Sequence, residues 1–392
     1  MNLFQNTGSA FQYKTDPELK RGLMLFRAMS KPWLVKPGSI IVTAALKAKI
    51  PLGWLIRPTI FSHFCGGENI DESIEVIDKL AKFNVKSILD YSVEAKEDEE
   101  DINEVLKETL KTIEVASDNP NIPFAVFKPT AFASKALLTK ASAGSTLLPS
   151  EQEELEKFRE RIHTLCLAAS QKNIPILIDA EESFYQEIID KVAAEMMALF
   201  NRKKAIVYNT LQMYRHDRTD FLVRCLDEAK RGGYFPGIKL VRGAYLERER
   251  LRAKKMGYPS PVHPDKESTD RAYDNALTFC IENIDRISVF NGTHNEESCL
   301  HMIGEMKKHS IANDDQRAFY SQLYGMSDHI SFNLSRLGYN VAKYLPYGPV
   351  TQVLPYLIRR AEENKAVAGQ TGRELTLLKT EMKRRKQIKK EV

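Results

Sequence analysis

The chain of 392 residues contains no run of eighteen uninterrupted apolar residues, so no segment reads as a membrane-spanning helix. It has no CxxC pair. Its five cysteines, Cys65, Cys166, Cys225, Cys280 and Cys299, are odd in number and far apart, which argues against a disulfide framework or zinc ribbon and fits a reducing, cytoplasm-like compartment. Its eight histidines form no HxH or HExxH pair, so the ligand sets of barrel hydrolases and zincins are missing and no metal is expected. No GxSxG offers a nucleophile elbow, and no GxGxxG follows a strand-like run, which counts against a doubly wound dinucleotide fold. The first residues, MNLFQNTGSAFQYKTDPELKRG, lack both the apolar core of a secretion signal and the arginine-rich, acid-poor character of a transit peptide. A cytoplasmic protein, at most peripheral to an inner membrane, is the expectation.

Charge is also scarce where it would signal a nucleic-acid surface. Eight of the 57 Lys and Arg and three of the 52 Asp and Glu lie in 371–392, which leaves 49 of each sign in the body and the whole net charge of +5 in the tail. With no aromatic interleaving or basic stripe elsewhere, no nucleic-acid partner is expected. KRRKQIKK (Lys383 to Lys390) reads as a frayed, solvated terminus, with transient contact to anionic lipid as the alternative.

What the chain does have is rhythm. From Glu68 onward, short β-branched runs alternate with longer amphipathic stretches. Eight strands are expected at 86–92, 123–129, 174–181, 205–212, 237–243, 287–294, 318–325 and 340–348. EEDINEVLKETLKTIEVASD and EQEELEKFRERIHTLCLAASQK carry apolar residues at helical spacing, the second with Ser150 as N-cap and Glu153 as its box partner. Eight βα repeats imply a distorted (βα)8 TIM-type barrel spanning 68–370. Residues 1–67 do not follow the repeat; with the amphipathic PELKRGLMLFRAM they read as a helical arm, and 371–392 as a basic tail.

In such a barrel the C-terminal ends of the strands carry the chemistry. Those ends hold Lys128, Asp179, Gln212, Lys239 to Tyr245, Thr293, His294, Asn295 and Tyr344. Singly, each has a structural reading: Lys128 as a snorkelling side chain, Asp179 and Asn295 as helix caps. Their repetition on one rim favours a site, and a flavin suits them. Gln212, Lys239 and the VRGAY turn offer hydrogen bonds to an isoalloxazine, Gly243 offers close backbone approach, and Arg360, Lys266 and Thr293-His294-Asn295 offer partners for ribityl and phosphate groups. YLIRRAEENK adds Tyr356, Arg359, Arg360 and Glu363 at i, i+3, i+4 and i+7 of one helical face.

Read in order, LIDAEE, LQMYR, IKLVRGAYLERER, GTHNEES, LYGMSD, YLPYG and YLIRRAEEN resemble the proline dehydrogenase family from about Lys86 to Lys365. The resemblance implies noncovalent FAD, oxidation of L-proline to Δ1-pyrroline-5-carboxylate, electrons passed to a membrane quinone, and a separate pyrroline-5-carboxylate dehydrogenase, since the chain ends too soon for a second domain. It gives the carboxylate-gripping pair to Arg359 and Arg360 with Lys128 as a third cation. Tyr245, Leu323, Tyr344 and Tyr356 become the pocket wall, and Asp179 a buried acid arranging the site. The flavin contacts become Asp179, Gln212, Lys239, Val241, Gly243, Ala244, Tyr245, Lys266, Thr293, His294, Asn295, Arg360, Glu363 and Asn364. Tyr344 stands where hydroxyproline-preferring relatives have a smaller residue, which favours proline. A hydroxyproline dehydrogenase and a non-catalytic flavin-binding barrel are the alternatives.

Overall fold

The computed structural model of the chain describes residues 3–31, 33, 53–92, 98–366 and 370–391; the side chains of 54, 55, 359–366, 370 and 371 fall outside that description. Eight strands form: β1 (Lys86–Tyr91), β2 (Ala125–Phe127), β3 (Ile176–Ile178), β4 (Val207–Gln212), β5 (Gly237–Val241), β6 (Ser288–Gly292), β7 (Ala318–Leu323) and β8 (Val341–Tyr347). Every expected strand is present, trimmed at its ends. The sheet order is β1-β8-β7-β6-β5-β4-β3-β2, and the first strand pairs in parallel with the last. Parallel strands separated by helices, with β1 joined to β8, are the topology of a (βα)8 barrel. Among the described residues no helix is long and apolar enough to cross a membrane.

The chain forms two compact units, 95–321 and 1–94 with 322–392. In the unit of 95–321, β2 to β6 are followed by α-helices on the outside, each held by ordinary local signals. The helix Glu99–Asp118 begins at Asp98, whose side chain accepts from the Asp101 N–H at 2.9 Å. The helix expected after LLPS starts two residues earlier than the caps suggested. It spans Pro149–Gln171, and the Glu151 carboxylate, not Glu153, accepts from the Leu148 N–H at 3.0 Å. Pro149 explains the shift, because proline at the first helical position loses no hydrogen bond there.

The interior of this unit is filled by aromatic rings. Phe124 meets Tyr208, Phe290 and Phe319 edge to face, at centroid distances of 5.5, 5.1 and 4.8 Å. Tyr208 requires a glycine across from it, since a Cβ at Gly237 would lie 2.6 Å from its ring. This plug is solid. All five cysteines are buried and unpaired, and burial pushes their thiols up, that of Cys225 to about 12, so none is a thiolate at neutral pH.

In the other unit, Thr15 and Glu18 form a capping box that opens the helix Asp16–Met29, the amphipathic arm expected from sequence. Its Leu19, Leu23 and Phe26 share a core with Val353, Leu354 and Leu357 of the helix Val350–Ala366 and with Leu377 and Leu378. The basic tail is not frayed. Gln370–Glu391 is a helix whose Glu381, with no side-chain exposure, pairs with Arg384 at 2.7 Å and Arg385 at 2.8 Å, while Arg385 and Lys389 reach Asp16 at 2.9 and 2.6 Å. The apolar pair Leu377-Leu378 supplies the anchor, and two cations of the charge run after it, Arg385 and Lys389, meet Asp16 at the other end of the sequence.

Candidate active site

Strand register brings the first group together in the unit of 95–321. Thr210 pairs with Lys239 and Gln212 with Val241. The alignment continues past the strand ends, where the Met213 and Tyr214 N–H groups donate to the carbonyls of Val241 at 2.8 Å and Arg242 at 2.7 Å. The VRGAY turn is thereby held against the loop after β4. Gly243, at φ +127°, is required there: a Cβ would stand 2.4 Å from the Tyr214 ring. The Tyr214 ring thus fills the space on the Cβ side of that glycine. Val241 and Tyr245 are half-buried and Ala244 is exposed.

Lys239 is 5% exposed and its ammonium donates to Asp179 at 2.6 Å. Asp179 therefore caps no helix; Glu182 stands at the start of Ser183–Phe200. The Asp179 side chain is partly buried, with 17% exposure. The more deeply buried acid is Glu181, 5% exposed, which accepts from Thr130 at 2.6 Å and from the Tyr245 hydroxyl at 3.0 Å. Burial pushes the Glu181 carboxyl up, opposed by those hydrogen bonds and by the nearby charge of Lys128, which is half-buried just after β2. Glu181 was legible only as the letter after LIDA; nothing in its spacing announced burial.

A second chain of contacts runs along the rim. Lys266, the exposed first residue of the helix Lys266–Glu282, is bonded to Asp270. Asp270 accepts from Arg242 at 2.7 Å, and the same guanidinium donates to Thr293 at 2.7 Å and Ser298 at 2.9 Å while lying 4.3 Å from the Tyr273 ring centroid. Burial opposes the charge of Asp270, yet Lys266 and Arg242 hold its carboxyl below the usual range. Arg242 was quoted in its motif but given no role, and it organises this corner. Asn295 acts as the helix cap considered from sequence, accepting from the Glu297 and Ser298 N–H groups at 2.8 and 3.3 Å. His294 is half-buried beside it.

Gln212 differs from these neighbours. It is 3% exposed, and its Oε1 has no hydrogen-bond partner among the described residues. A buried carbonyl left unsatisfied costs about 1–3 kcal/mol, and this one, at the end of β4 opposite Val241, is an acceptor that a donor-bearing guest would satisfy. A flavin ring, with an imide N–H on its edge, has the donor this amide lacks.

In the unit of 1–94 and 322–392, Leu323 ends β7 half-buried, Tyr344 in β8 is 6% exposed, and Tyr356 in Val350–Ala366 is 4% exposed within the apolar core. YLIRRAEENK is helical as expected. Arg359, Arg360, Glu363 and Asn364 belong to that helix, and their side chains lie outside the described residues.

The family model for proline dehydrogenase matches residues 73–373. The carbapenem antibiotics biosynthesis protein CarD of Pectobacterium carotovorum subsp. carotovorum is 35% identical over 324 residues, 83% of this chain and 84% of that protein. Mitochondrial proline dehydrogenase 1 of Drosophila melanogaster is 39% identical over 251 residues, covering 62% of this chain and 37% of the fly protein. Among solved structures, proline utilization A from Bdellovibrio bacteriovorus, inactivated by N-propargylglycine, aligns with a TM-score of 0.71 at 21% identity over 94% of this chain and 37% of that one. The structural likeness concerns the fold, and the chain spans little more than a third of the fly and Bdellovibrio proteins. By the match over most of its length, this chain belongs to the proline dehydrogenase family of oxidoreductases.

Proposed function

We propose that the chain oxidises L-proline to Δ1-pyrroline-5-carboxylate, holds FAD noncovalently and passes the electrons to a membrane quinone, its product going to a separate pyrroline-5-carboxylate dehydrogenase. The observation that carries this reading is the buried, unpartnered Oε1 of Gln212 at the end of β4, close in register to Lys239. FAD supplies a two-electron acceptor when bound. Gln212 accepts from the ring's imide edge, Lys239 contributes a cation fixed by Asp179, and the Arg242–Thr293–Asn295 corner with His294 and Lys266 serves the ribityl and phosphate portions. Val241, Gly243, Ala244 and Tyr245 contribute the backbone and ring surface alongside, and Glu363 and Asn364 are further flavin contacts.

For the substrate, Arg359 and Arg360 grip the carboxylate, since the planar guanidinium can form two parallel hydrogen bonds to it and stays charged at any working pH, and Lys128 adds a third positive charge. Leu323, Tyr344, Tyr356 and Tyr245 limit the space for the pyrrolidine ring, and Tyr245 is oriented by its bond to Glu181. Proline is zwitterionic in water and its oxidised form is an iminium, so the ring nitrogen sheds its extra proton before or during reaction. No protein base is assigned to that proton; solvent receives it. Tyr344 leaves no room for a C4 hydroxyl and favours proline over hydroxyproline.

The test is anaerobic addition of L-proline to the FAD-loaded protein. The flavin absorbance should bleach, and trans-4-hydroxy-L-proline should bleach it far more slowly. An unchanged spectrum refutes the dehydrogenase reading, and the reverse preference makes the enzyme a hydroxyproline dehydrogenase. In Arg359→Met the proline KM should rise on the order of a hundred-fold with flavin content retained, because the lost contact orients substrate and not cofactor.

A further inference from the structure

LYGMSD (Leu323 to Asp328), part of the family resemblance, enters the scheme above only through Leu323, yet the whole turn is clamped from several sides. Its backbone is bent twice into the left-handed region, at Gly325 (φ +80°) and at the non-glycine Ser327 (φ +51°). Such conformations cost about 1–3 kcal/mol each at a non-glycine residue and persist only where surrounding contacts enforce them. Here four separate parts of the chain do so. The buried His63 ring bonds the Gly325 carbonyl at 3.0 Å, the Lys343 ammonium donates to the Met326 carbonyl at 2.5 Å, and the buried Glu374 carboxylate accepts from the Ser327 N–H at 2.6 Å. Asp328, 2% exposed, closes the set with Lys343 at 2.9 Å, Lys14 at 2.7 Å and the Tyr13 hydroxyl at 2.8 Å.

Side chains alternate along β8, so Lys343 and Tyr344 leave the strand on opposite faces. The Tyr344 carbonyl accepts from the Tyr324 N–H at 2.8 Å, one residue beyond Leu323. The turn is therefore pinned to β8 on both sides of the peptide that carries Tyr344: through Lys343 and Met326 on one, through Tyr324 on the other. A shift of the turn moves Leu323 and Tyr344 together.

We propose that Asp328, Lys343 and Lys14 form a positioning network for the substrate wall, setting where Leu323 and Tyr344 stand and hence the discrimination between proline and its 4-hydroxy derivative. This rests on the functional reading given above for those two residues. It also gives the N-terminal arm a task, since Tyr13 and Lys14 belong to it. None of the three charged groups touches substrate.

The experiment uses the FAD-loaded full chain and compares wild type with Asp328→Asn, Lys14→Met and Lys14→Arg, recording KM and kcat for L-proline and trans-4-hydroxy-L-proline together with bound flavin. Asp328→Asn should raise the proline KM on the order of ten-fold and shrink the preference for proline over hydroxyproline, with flavin content unchanged. Lys14→Met, at the edge of the network and tolerant of folding, should do the same more weakly, and Lys14→Arg should restore wild-type selectivity. Wild-type KM and selectivity in folded Asp328→Asn and Lys14→Met overturn the proposal. So does a parallel loss of flavin and turnover at unchanged KM, which marks general packing, and so does equal damage in Lys14→Arg. A wild-type chain inert toward both substrates refutes the functional reading first and is distinguished by that control.

Discussion

Two strand lysines, Lys239 on β5 and Lys343 on β8, each pair with an aspartate, and the two pairs differ in what surrounds them. Lys239–Asp179 at 2.6 Å joins the rims of β5 and β3, with side-chain exposures of 7% and 17%. Lys343–Asp328 at 2.9 Å is sealed, with exposures of 0% and 2%. The sealed pair is surrounded by further partners, the Met326 carbonyl for Lys343 and the Lys14 ammonium and Tyr13 hydroxyl for Asp328, so both charges are countered inside the protein. The rim pair stands by Gln212, whose buried carbonyl is not met. Complete satisfaction gives rigidity and leaves nothing to offer a ligand; incomplete satisfaction at a strand end costs stability and creates an affinity. The same two residue types are thus sealed in one place and stand at an open rim in the other.

The sharpest way to break that comparison is to remove one lysine from each pair. Lys343→Met strands a sealed carboxylate and should lower stability by about 3–5 kcal/mol in urea unfolding, most of it recovered by adding Asp328→Asn. Lys239→Met leaves Asp179 open to water and should cost the flavin-free protein no more than about 1 kcal/mol while sharply reducing retained FAD. Equal costs would abolish the distinction.

Next is pH. Burial, and then the charge of Lys14, lower the His63 imidazole to about 3, against the pull of Asp328. The ring is neutral when folded and takes up a proton when unfolded below its ordinary value of about 6.5. The unfolded state binds the extra proton in that window, so stability is intact above pH ~6.5 and falls by up to about 1.4 kcal/mol per pH unit as pH drops toward the folded value. His63→Gln, which keeps a donor for Gly325, should flatten this slope between wild type and variant in acid unfolding. A slope equal to that of wild type assigns the proton uptake elsewhere.

The smallest effect is the most diagnostic of the rim. Gln212→Leu removes an unpaired acceptor, so the flavin-free protein should be unchanged or more stable by about 1 kcal/mol. Its FAD dissociation constant should rise about ten-fold. Loss of stability without loss of FAD affinity would make Gln212 an ordinary core residue.

Much of this was present in the order of residues. Strand runs such as IKLV and ILI, and the long 3.6-period helices, specify their own conformation through burial of one face or both, so all eight strands could be found without coordinates. Polar residues at strand ends could likewise be named as rim residues, because the barrel topology fixes which end carries function. The partners could not. Asp179 finds Lys239 across 60 residues and Tyr13 finds Asp328 across 315, and such pairings depend on strand register and on how helices pack, which no local spacing encodes. Hence nothing in local spacing singles out Glu181 or Arg242, or shows that Asp16 and Glu381 hold Arg384, Arg385 and Lys389 of the tail. The sequence alone determined the repeat, the rim and the family. Only the tertiary structure decided which charges are satisfied and which are left open, because satisfaction is a property of neighbours brought together by folding.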